Sequence, residues 1–258
     1  MLTCDAMGIA FGGVVALSNV TFAVGPGVVL GVIGPNGSGK STMVNVITGF
    51  YRPTTGSVRM DDVELTGKSP ETVRRMGVGR TFQNLRLARE MTALDNTLAG
   101  MNLYFAGDGT GVLRIAQSAI GLPSARRRTS AGREMAMEVL ERVEMAHRAD
   151  VKVASMSYGE QKRLELARAI ALRPRVLFLD EPTAGLAPHE AEELMQLMAG
   201  LARGSDDMTL VLIEHRLQLV LDVSDRVIVL DGGRMIADDT SKNIAKNADV
   251  RRIYVGGE

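Results

Sequence analysis

An α/β fold built on a largely parallel sheet is what this sequence predicts, and three observations predict it. Short continuous apolar runs recur along the chain, helical patterns separate them, and a glycine-rich loop follows the first fully apolar run. Val28 to Ile33, Val176 to Leu179, Thr209 to Ile213 and Val227 to Leu230 are such runs, the pattern of strands buried on both faces. Ahead of them Val20, Phe22 and Val24 alternate with Thr21 and Ala23, as in a half-buried strand, and Gly25-Pro26-Gly27 turns the chain. Met135, Val139 and Val143 share one helical face, as do Leu164, Ala167 and Ala171, and then Leu194, Leu197 and Leu201. Residues 84–150 carry no strand pattern and predict a mostly helical lobe. Asp231-Gly232-Gly233-Arg234 predicts a late hairpin turn.

The 258 residues are enough for one large domain or two small ones, and 45% apolar content supports a packed core. Thirty basic side chains balance 30 acidic ones, which disfavours a nucleic-acid binder that relies on an overall basic surface. Cys4 stands alone, so no intramolecular disulfide or cysteine-rich zinc site can form. Between Asp5 and Lys40 there is no Asp, Glu, Lys or Arg. A signal peptide needs positive charge before its apolar region, and the first Lys or Arg is Lys40. A membrane span needs about 20 mostly apolar residues, and Asn19, Thr21 and the Gly25-Pro26-Gly27 turn interrupt this stretch. No later stretch reaches span length either, so a soluble chain is expected. Arg126, Arg127 and Arg128, with Arg133, form the main basic cluster. A solvated helix start explains it, and a contact with lipid headgroups or a partner is the other reading.

Gly34-Pro35-Asn36-Gly37-Ser38-Gly39-Lys40-Ser41 fits the phosphate-loop pattern G-x-x-x-x-G-K-[ST], between a buried strand and a helical stretch. Glycines let consecutive N–H groups curl towards one anion, and the following helix adds its positive end. Lys40 would reach the β- and γ-phosphates, and the Ser41 hydroxyl would ligate Mg²⁺. A chance match in a chain of this composition is roughly a 1% event. A phosphate site also accounts for the missing charge, because a neighbouring carboxylate would repel a triphosphate and a doubly buried strand holds charge only at high cost.

The run Val176 to Leu179 ends in Asp180 and Glu181. An Asp at such a strand tip holds Mg²⁺ in phosphate-loop enzymes, and Glu181, one residue on, could orient or deprotonate an attacking water. His215 follows the run Thr209 to Ile213, at the carboxyl end where open α/β sheets bind ligands, and could sense the γ-phosphate. A structural histidine is the competing reading. Gln83, within Arg80-Thr81-Phe82-Gln83-Asn84, would by itself be an ordinary loop glutamine.

Met156-Ser157-Tyr158-Gly159-Glu160-Gln161-Lys162-Arg163 resembles the signature segment of ATP-binding cassette (ABC) proteins, usually L-S-G-G-Q. With Lys40, Gln83, Asp180, Glu181 and His215 in the family's order, nearly the whole chain matches. Read without the family, Ser157 to Glu160 is a capping box opening a helix through Ala171, and both readings can hold. The resemblance implies a single ABC ATP-binding domain over 1–258. Its phosphate-loop NTPase core would carry a small antiparallel β subdomain and a helical subdomain inserted at about 84–160. It implies ATP and Mg²⁺ as cofactors, with Gly34 to Thr42 around the phosphates and Phe11 stacked on adenine, where the family more often has Tyr. Gln83 would approach Mg²⁺ beside Ser41 and Asp180, and Ser157 and Gly159 would contact the γ-phosphate held by a second cassette. His215 would be the switch histidine, and Glu181, His215, Gln83 and Lys40 would form the catalytic set. The chain departs from the family at Tyr158, Glu160 and Ala187, the last standing where Asp is usual.

Phe11-Gly12-Gly13, Thr48 to Thr54, Arg80 to Gln83, Ser157 to Gln161, Ile213-Glu214-His215 and Ile253 to Gly256 look like the ATP-binding subunits of branched-chain amino acid importers. Urea and amide importers share that pattern. The expected partners are a second cassette chain (identical or different), transmembrane permease subunits and, indirectly, an extracytoplasmic solute-binding protein, with no nucleic acid. The expected location is peripheral, on the cytoplasmic face of the cell membrane. Another ABC transporter ATPase, or a soluble ABC ATPase working on DNA or ribosomes, is the alternative. A kinase or GTPase would not explain the signature segment.

Overall fold

The computed structural model describes residues 1–81, 87–105, 123–205 and 207–255, with the side chains of 102–105, 123–129 and 254–255 left aside. The chain forms two compact units, Met1–Arg80 with Arg175–Glu258, and Thr81–Pro174.

The first unit holds both sheets. β1 (Leu2–Phe11) and β2 (Val14–Val24) form a hairpin, and β4 (Thr55–Met60) and β5 (Val63–Glu64) extend it into a four-stranded antiparallel sheet of order β2-β1-β4-β5. Val20, Phe22 and Val24 do point to the buried side, as their alternation requires. The six-stranded sheet has the order β10-β9-β3-β8-β7-β6, made of β3 (Val29–Ile33), β6 (Val78–Arg80), β7 (Val176–Asp180), β8 (Thr209–Ile213), β9 (Arg226–Asp231) and β10 (Arg234–Thr240). All pairings are parallel except the β9–β10 hairpin, which turns at Gly232 and Gly233. Every residue of β3, β7 and β8 is buried, which is why those strands are continuous apolar runs rather than alternating ones.

Two apolar layers account for this double burial. On one face, Leu30 and Val32 pack with the antiparallel sheet and with Met43 and Ile47 of α1 (Lys40–Ile47). On the other, Ile33, Val227 and Val229 pack with Val220 of α7 (Leu217–Val223), Ile244 of α8 (Ser241–Ile244) and Val250 of α9 (Ala248–Val255). The short α2 (Pro70–Arg75), capped by Ser69, leads into β6. α6 (Pro188–Arg203) corrects the predicted face. Leu194 is buried, but Leu197 and Leu201 lie at the margin, and Met195, Met198, Ala199 and Ala202 complete the stripe.

The second unit is built on α3 (Ala93–Phe105), α4 (Pro123–Arg142) and α5 (Tyr158–Ile170). Leu94 and Met101 of α3, Ala136, Val139 and Leu140 of α4, and Leu164 and Ala167 of α5 are buried. Met135 is only half-buried, so the buried face of α4 lies slightly to one side of the predicted one. The Arg126–Arg128 cluster lies on the first turns of α4, and exposed Arg133 faces Asp150 at 3.4 Å. Ser157 caps α5 as its sequence predicts. Its hydroxyl accepts from the Glu160 N–H at 3.2 Å, and the Glu160 carboxylate accepts from the Ser157 N–H at 2.7 Å.

Candidate functional site

In the parallel sheet β3, β8 and β7 are consecutive neighbours, so the loops that leave their carboxyl ends emerge side by side. The loop after β3 is Gly34 to Gly39, Asp180 ends β7, and His215 follows β8. One cleft is lined by Asn36 to Thr42, Asp180, Glu181 and His215, together with Ala16 and Ile213. Topology alone therefore gathers residues more than 170 positions apart.

The glycines of the loop are conditions of its shape. A Cβ on Gly34 would lie 2.1 Å from the Leu230 carbonyl oxygen. Gly39 begins α1 with φ 103°, a left-handed conformation costly for other residues, and a Cβ there would meet the Ala16 carbonyl at 2.8 Å. No side chain caps α1, so its first-turn N–H groups face the cleft without the usual Ser, Thr or Asp acceptor. The β9–β10 turn braces the loop, since the Gly233 N–H donates to the Ser38 carbonyl at 3.1 Å and the Gly233 carbonyl accepts from Ser18 at 2.8 Å.

Lys40 is 6% exposed, and its amine donates to the carbonyls of Gly34 at 2.8 Å and Pro35 at 2.9 Å. Burial lowers its pKa, against an opposing pull from Glu181 and Asp180. Ser41, Asn36 and Gly37 are exposed to the cleft, Thr42 is half-buried and Ser38 is buried. Asp180 is buried, and one of its oxygens accepts from Arg80 at 3.0 Å; Arg80 also donates to the Asn45 side chain at 2.6 Å. The His215 ring Nε2 lies 2.5 Å from a Glu181 carboxylate oxygen. Glu181 has φ 48°, strained for a residue with a side chain.

Other predicted positions are more loosely placed or lie elsewhere. Phe11 is exposed at the tip of the β1–β2 hairpin, its ring edge-to-face with Tyr51 at 5.2 Å, and it does not line the cleft. Gln83 lies outside the described residues. Ser157 and Gly159 belong to the helical unit, at the start of α5. Ala187 is the N-cap of α6 and has no side-chain oxygen to offer, although Glu190 still accepts from the Ala187 N–H at 3.1 Å.

Among the described residues no group of three or more His, Cys, Asp or Glu side chains is arranged to hold a metal. The oxygen donors in the cleft, the Ser41 hydroxyl and the second oxygen of Asp180, suit Mg²⁺, which is commonly held by one or two protein oxygens plus phosphate and water.

A glycine-curled loop joining a buried strand to a helix, with its lysine turned inward and an acid pair at a nearby strand tip, defines a phosphate-loop nucleotide hydrolase. The chain belongs to the ABC transporter family, whose model matches residues 17–184. It is 40% identical over 257 residues to the high-affinity branched-chain amino acid transport ATP-binding protein LivG of Escherichia coli K12, covering 99% of this chain and 98% of that protein. It is likewise 40% identical over 256 residues to BraF of Pseudomonas aeruginosa, a protein of the same description, with the same coverage. Among solved structures, the ADP conformation of MJ1267, an ATP-binding cassette of an ABC transporter, matches with a TM-score of 0.81 and 33% identity over 100% of this chain and 99% of that one. The dimeric post-hydrolysis state of the cassette MJ0796, bound to ADP and phosphate, matches with a TM-score of 0.70 and 26% identity, covering 93% of this chain and 99% of that one. The chain is thus an ABC-type ATPase with the mixed α/β fold of that family.

Proposed function

We propose that this chain hydrolyses Mg²⁺-bound ATP to energise an importer of branched-chain amino acids or related amides. The observation that carries this reading is the 2.5 Å contact between Glu181 and His215 at the rim of a cleft floored by the phosphate loop. The similarity to LivG and BraF, both branched-chain amino acid transport ATP-binding proteins, supports the solute class.

The chain's own residues divide the work. The N–H groups from Gly37 to Thr42 and the Lys40 amine receive the β- and γ-phosphates, with the amine exchanging its two carbonyl partners for phosphate oxygens. Ser41 and Asp180 would hold Mg²⁺, and the family resemblance assigns Gln83 to the same ion. When bound, the ion neutralises charge on the β- and γ-oxygens. Glu181 accepts a proton from the attacking water as the water oxygen bonds to the γ-phosphorus. The bond to the β–γ bridging oxygen breaks, releasing ADP and phosphate. His215 holds the Glu181 carboxylate in position and meets the γ-phosphate. Phe11, exposed at the tip of the β1–β2 hairpin, is assigned to stack on adenine by family resemblance.

A second cassette chain completes each site. Ser157 and Gly159 at the start of its α5 face the γ-phosphate, and the dimeric form of MJ0796 supports this pairing. ATP binding stabilises the closed pair and hydrolysis releases it. We assign the helical unit, Thr81–Pro174, as the inserted subdomain that passes this motion to transmembrane permeases fed by an extracytoplasmic solute-binding protein. No helix among the described residues is long and apolar enough to cross a membrane. Attachment through permeases would place the chain peripherally on the cytoplasmic face.

Glu181→Gln tests the chemistry. In purified chain or complex it should retain ATP binding and lose hydrolysis by roughly 10²–10⁴-fold. Hydrolysis at the wild-type rate would remove Glu181 from the role of base. Failure to co-purify with any membrane protein would count against the transport reading.

A further inference from the structure

Glu214 is a buried carboxylate that the mechanism above does not use. It is 3% exposed, and it sits on the chain between β8 and His215. One carboxylate oxygen accepts from both the N–H of Thr183, at 3.0 Å, and the Thr183 hydroxyl. The other accepts from the N–H of His215 at 3.3 Å. Arg216 grips the same threonine from its other side, donating to the Thr183 carbonyl at 2.8 Å and hydroxyl at 2.6 Å. The hydrogen-bond directions are consistent throughout: the hydroxyl gives its one hydrogen to Glu214 and receives one from Arg216.

These bonds join two loops that hydrogen bonding within the sheet does not continue to hold. The strand ladder ends where the Glu181 N–H donates to the Ile213 carbonyl at 2.8 Å, and of the residues just beyond it Glu181 and His215 line the cleft while Thr183 and Glu214 are buried. Glu181 lies in the left-handed region at φ 48°, a conformation that persists only where the surroundings fix the residues on either side. Thr183, fully buried two residues later, is one such fixed point. Glu214 ties it to the backbone of His215, the residue whose ring meets the Glu181 carboxylate.

We propose that Glu214 is a positioning residue that sets the Glu181–His215 pair by clamping the Thr183 loop to the backbone of His215. It acts through Glu181 and His215, the residues that line the cleft. The inference rests on the functional reading above only for its kinetic consequence, since the geometric consequence can be read in the chain without nucleotide.

The test compares Glu214→Ala, Glu214→Gln and Thr183→Val in the full chain. The first measurement is the imidazole ¹⁵N spectrum without nucleotide, where Glu181→Gln marks the change produced when the carboxylate partner is lost. Glu214→Ala should move the His215 Nε2 resonance in the same direction and by at least half as much, leaving His147 and His189 in place. Thr183→Val, a milder change that keeps the main-chain bond, should give a smaller shift of the same sign and covers the case in which the alanine variant fails to fold. The second measurement is steady-state hydrolysis. A misplacement of a reacting group by about an ångström costs up to 10²-fold, so Glu214→Ala should lower kcat by about tenfold or more with the KM for ATP within about twofold. Glu214→Gln, which keeps an acceptor for Thr183 but none for His215, should fall between. An unmoved His215 resonance in folded Glu214→Ala or Thr183→Val overturns the proposal, as does a KM rise at unchanged kcat. A wild-type chain that hydrolyses no ATP would instead remove the functional reading, with the His215 resonance still deciding the role of Glu214.

Discussion

Ser157 carries two separable jobs, a helix cap within its own chain and a proposed contact with nucleotide held by another. The cap is visible as a reciprocal pair of bonds, 3.2 Å from the Glu160 N–H to the hydroxyl and 2.7 Å from the Ser157 N–H to the Glu160 carboxylate. Glu160 is further fixed by Arg148 at 2.7 Å, so its half of the box stays in place when the hydroxyl is removed. Ser157→Ala should therefore cost about 1 kcal/mol, the usual value of one side-chain cap, whereas Ser157→Gly should cost only a few tenths. For a chain of this size the alanine variant should melt about 2–4 °C lower and the glycine variant within about 1 °C of wild type. ATP hydrolysis should follow a different order. If the hydroxyl meets the γ-phosphate, both variants lose it and both fall in rate by a similar factor, despite their different stabilities. Thermal melts beside steady-state hydrolysis in the assembled dimer or complex separate the two jobs. Activity that tracks melting temperature, with glycine near wild type and alanine reduced, would refute the nucleotide contact. An alanine variant that melts with wild type would refute the cap.

Other consequences are equally direct. Ala187→Ser supplies α6 with the cap oxygen it lacks beside Glu190, and should raise stability by about 1 kcal/mol, seen as a higher melting temperature. Burial raises the Glu165 pKa against the opposing pull of Lys162 and Arg168. A carboxyl raised in the folded state binds more protons folded than unfolded, so wild type loses stability relative to Glu165→Gln as pH rises through that pKa. The melting temperature of Glu165→Gln minus that of wild type should thus be more positive at pH 7.5 than at pH 4.5, and the reverse trend would show that the charged form is favoured. Cys4 is fully buried, and burial pushes its thiol well above the usual range, so a disulfide reagent should label it only in denaturant. Rapid labelling of the native chain would show that the β1–β2–β4 core opens.

What could be read from the sequence was local. The phosphate loop, the doubly buried strands, the Ser157 capping box and the Gly232-Gly233 turn each declare themselves within about eight residues, and each forms where its residues require. Features that depend on distant pairing did not show. β6 is a three-residue strand that exists because it pairs with β7. The same pairing carries Arg80 to Asp180, a hundred positions away. The Glu214–Thr183 clamp spans 31 positions and consists of residue types that look like ordinary loop polarity. β1 hid its strand character because bulges interrupt its pairing with β2 and break the alternation. On α6 the apolar arc from Leu194 to Ala202 is wider than the face that is buried. The spacing of Leu194, Leu197 and Leu201 and that of Met195, Met198 and Ala202 fit a helix equally well, and only the neighbouring sheet decides between them.

The hairpin turn at Gly233, which takes hold of Ser38 and Ser18 at once, bears on how tightly an anion can be held. A glycine-rich loop left to itself samples many shapes, and a ligand would have to supply the free energy of selecting one. Here the shape is chosen during folding by a main-chain grip from the turn of the β9–β10 hairpin, whose first strand lies directly beside β3. The conformational entropy is lost before any phosphate arrives, so little of the binding free energy goes into ordering the loop. Lengthening the β9–β10 turn, more than 190 residues from Lys40, should therefore weaken nucleotide binding without altering any group that touches the nucleotide.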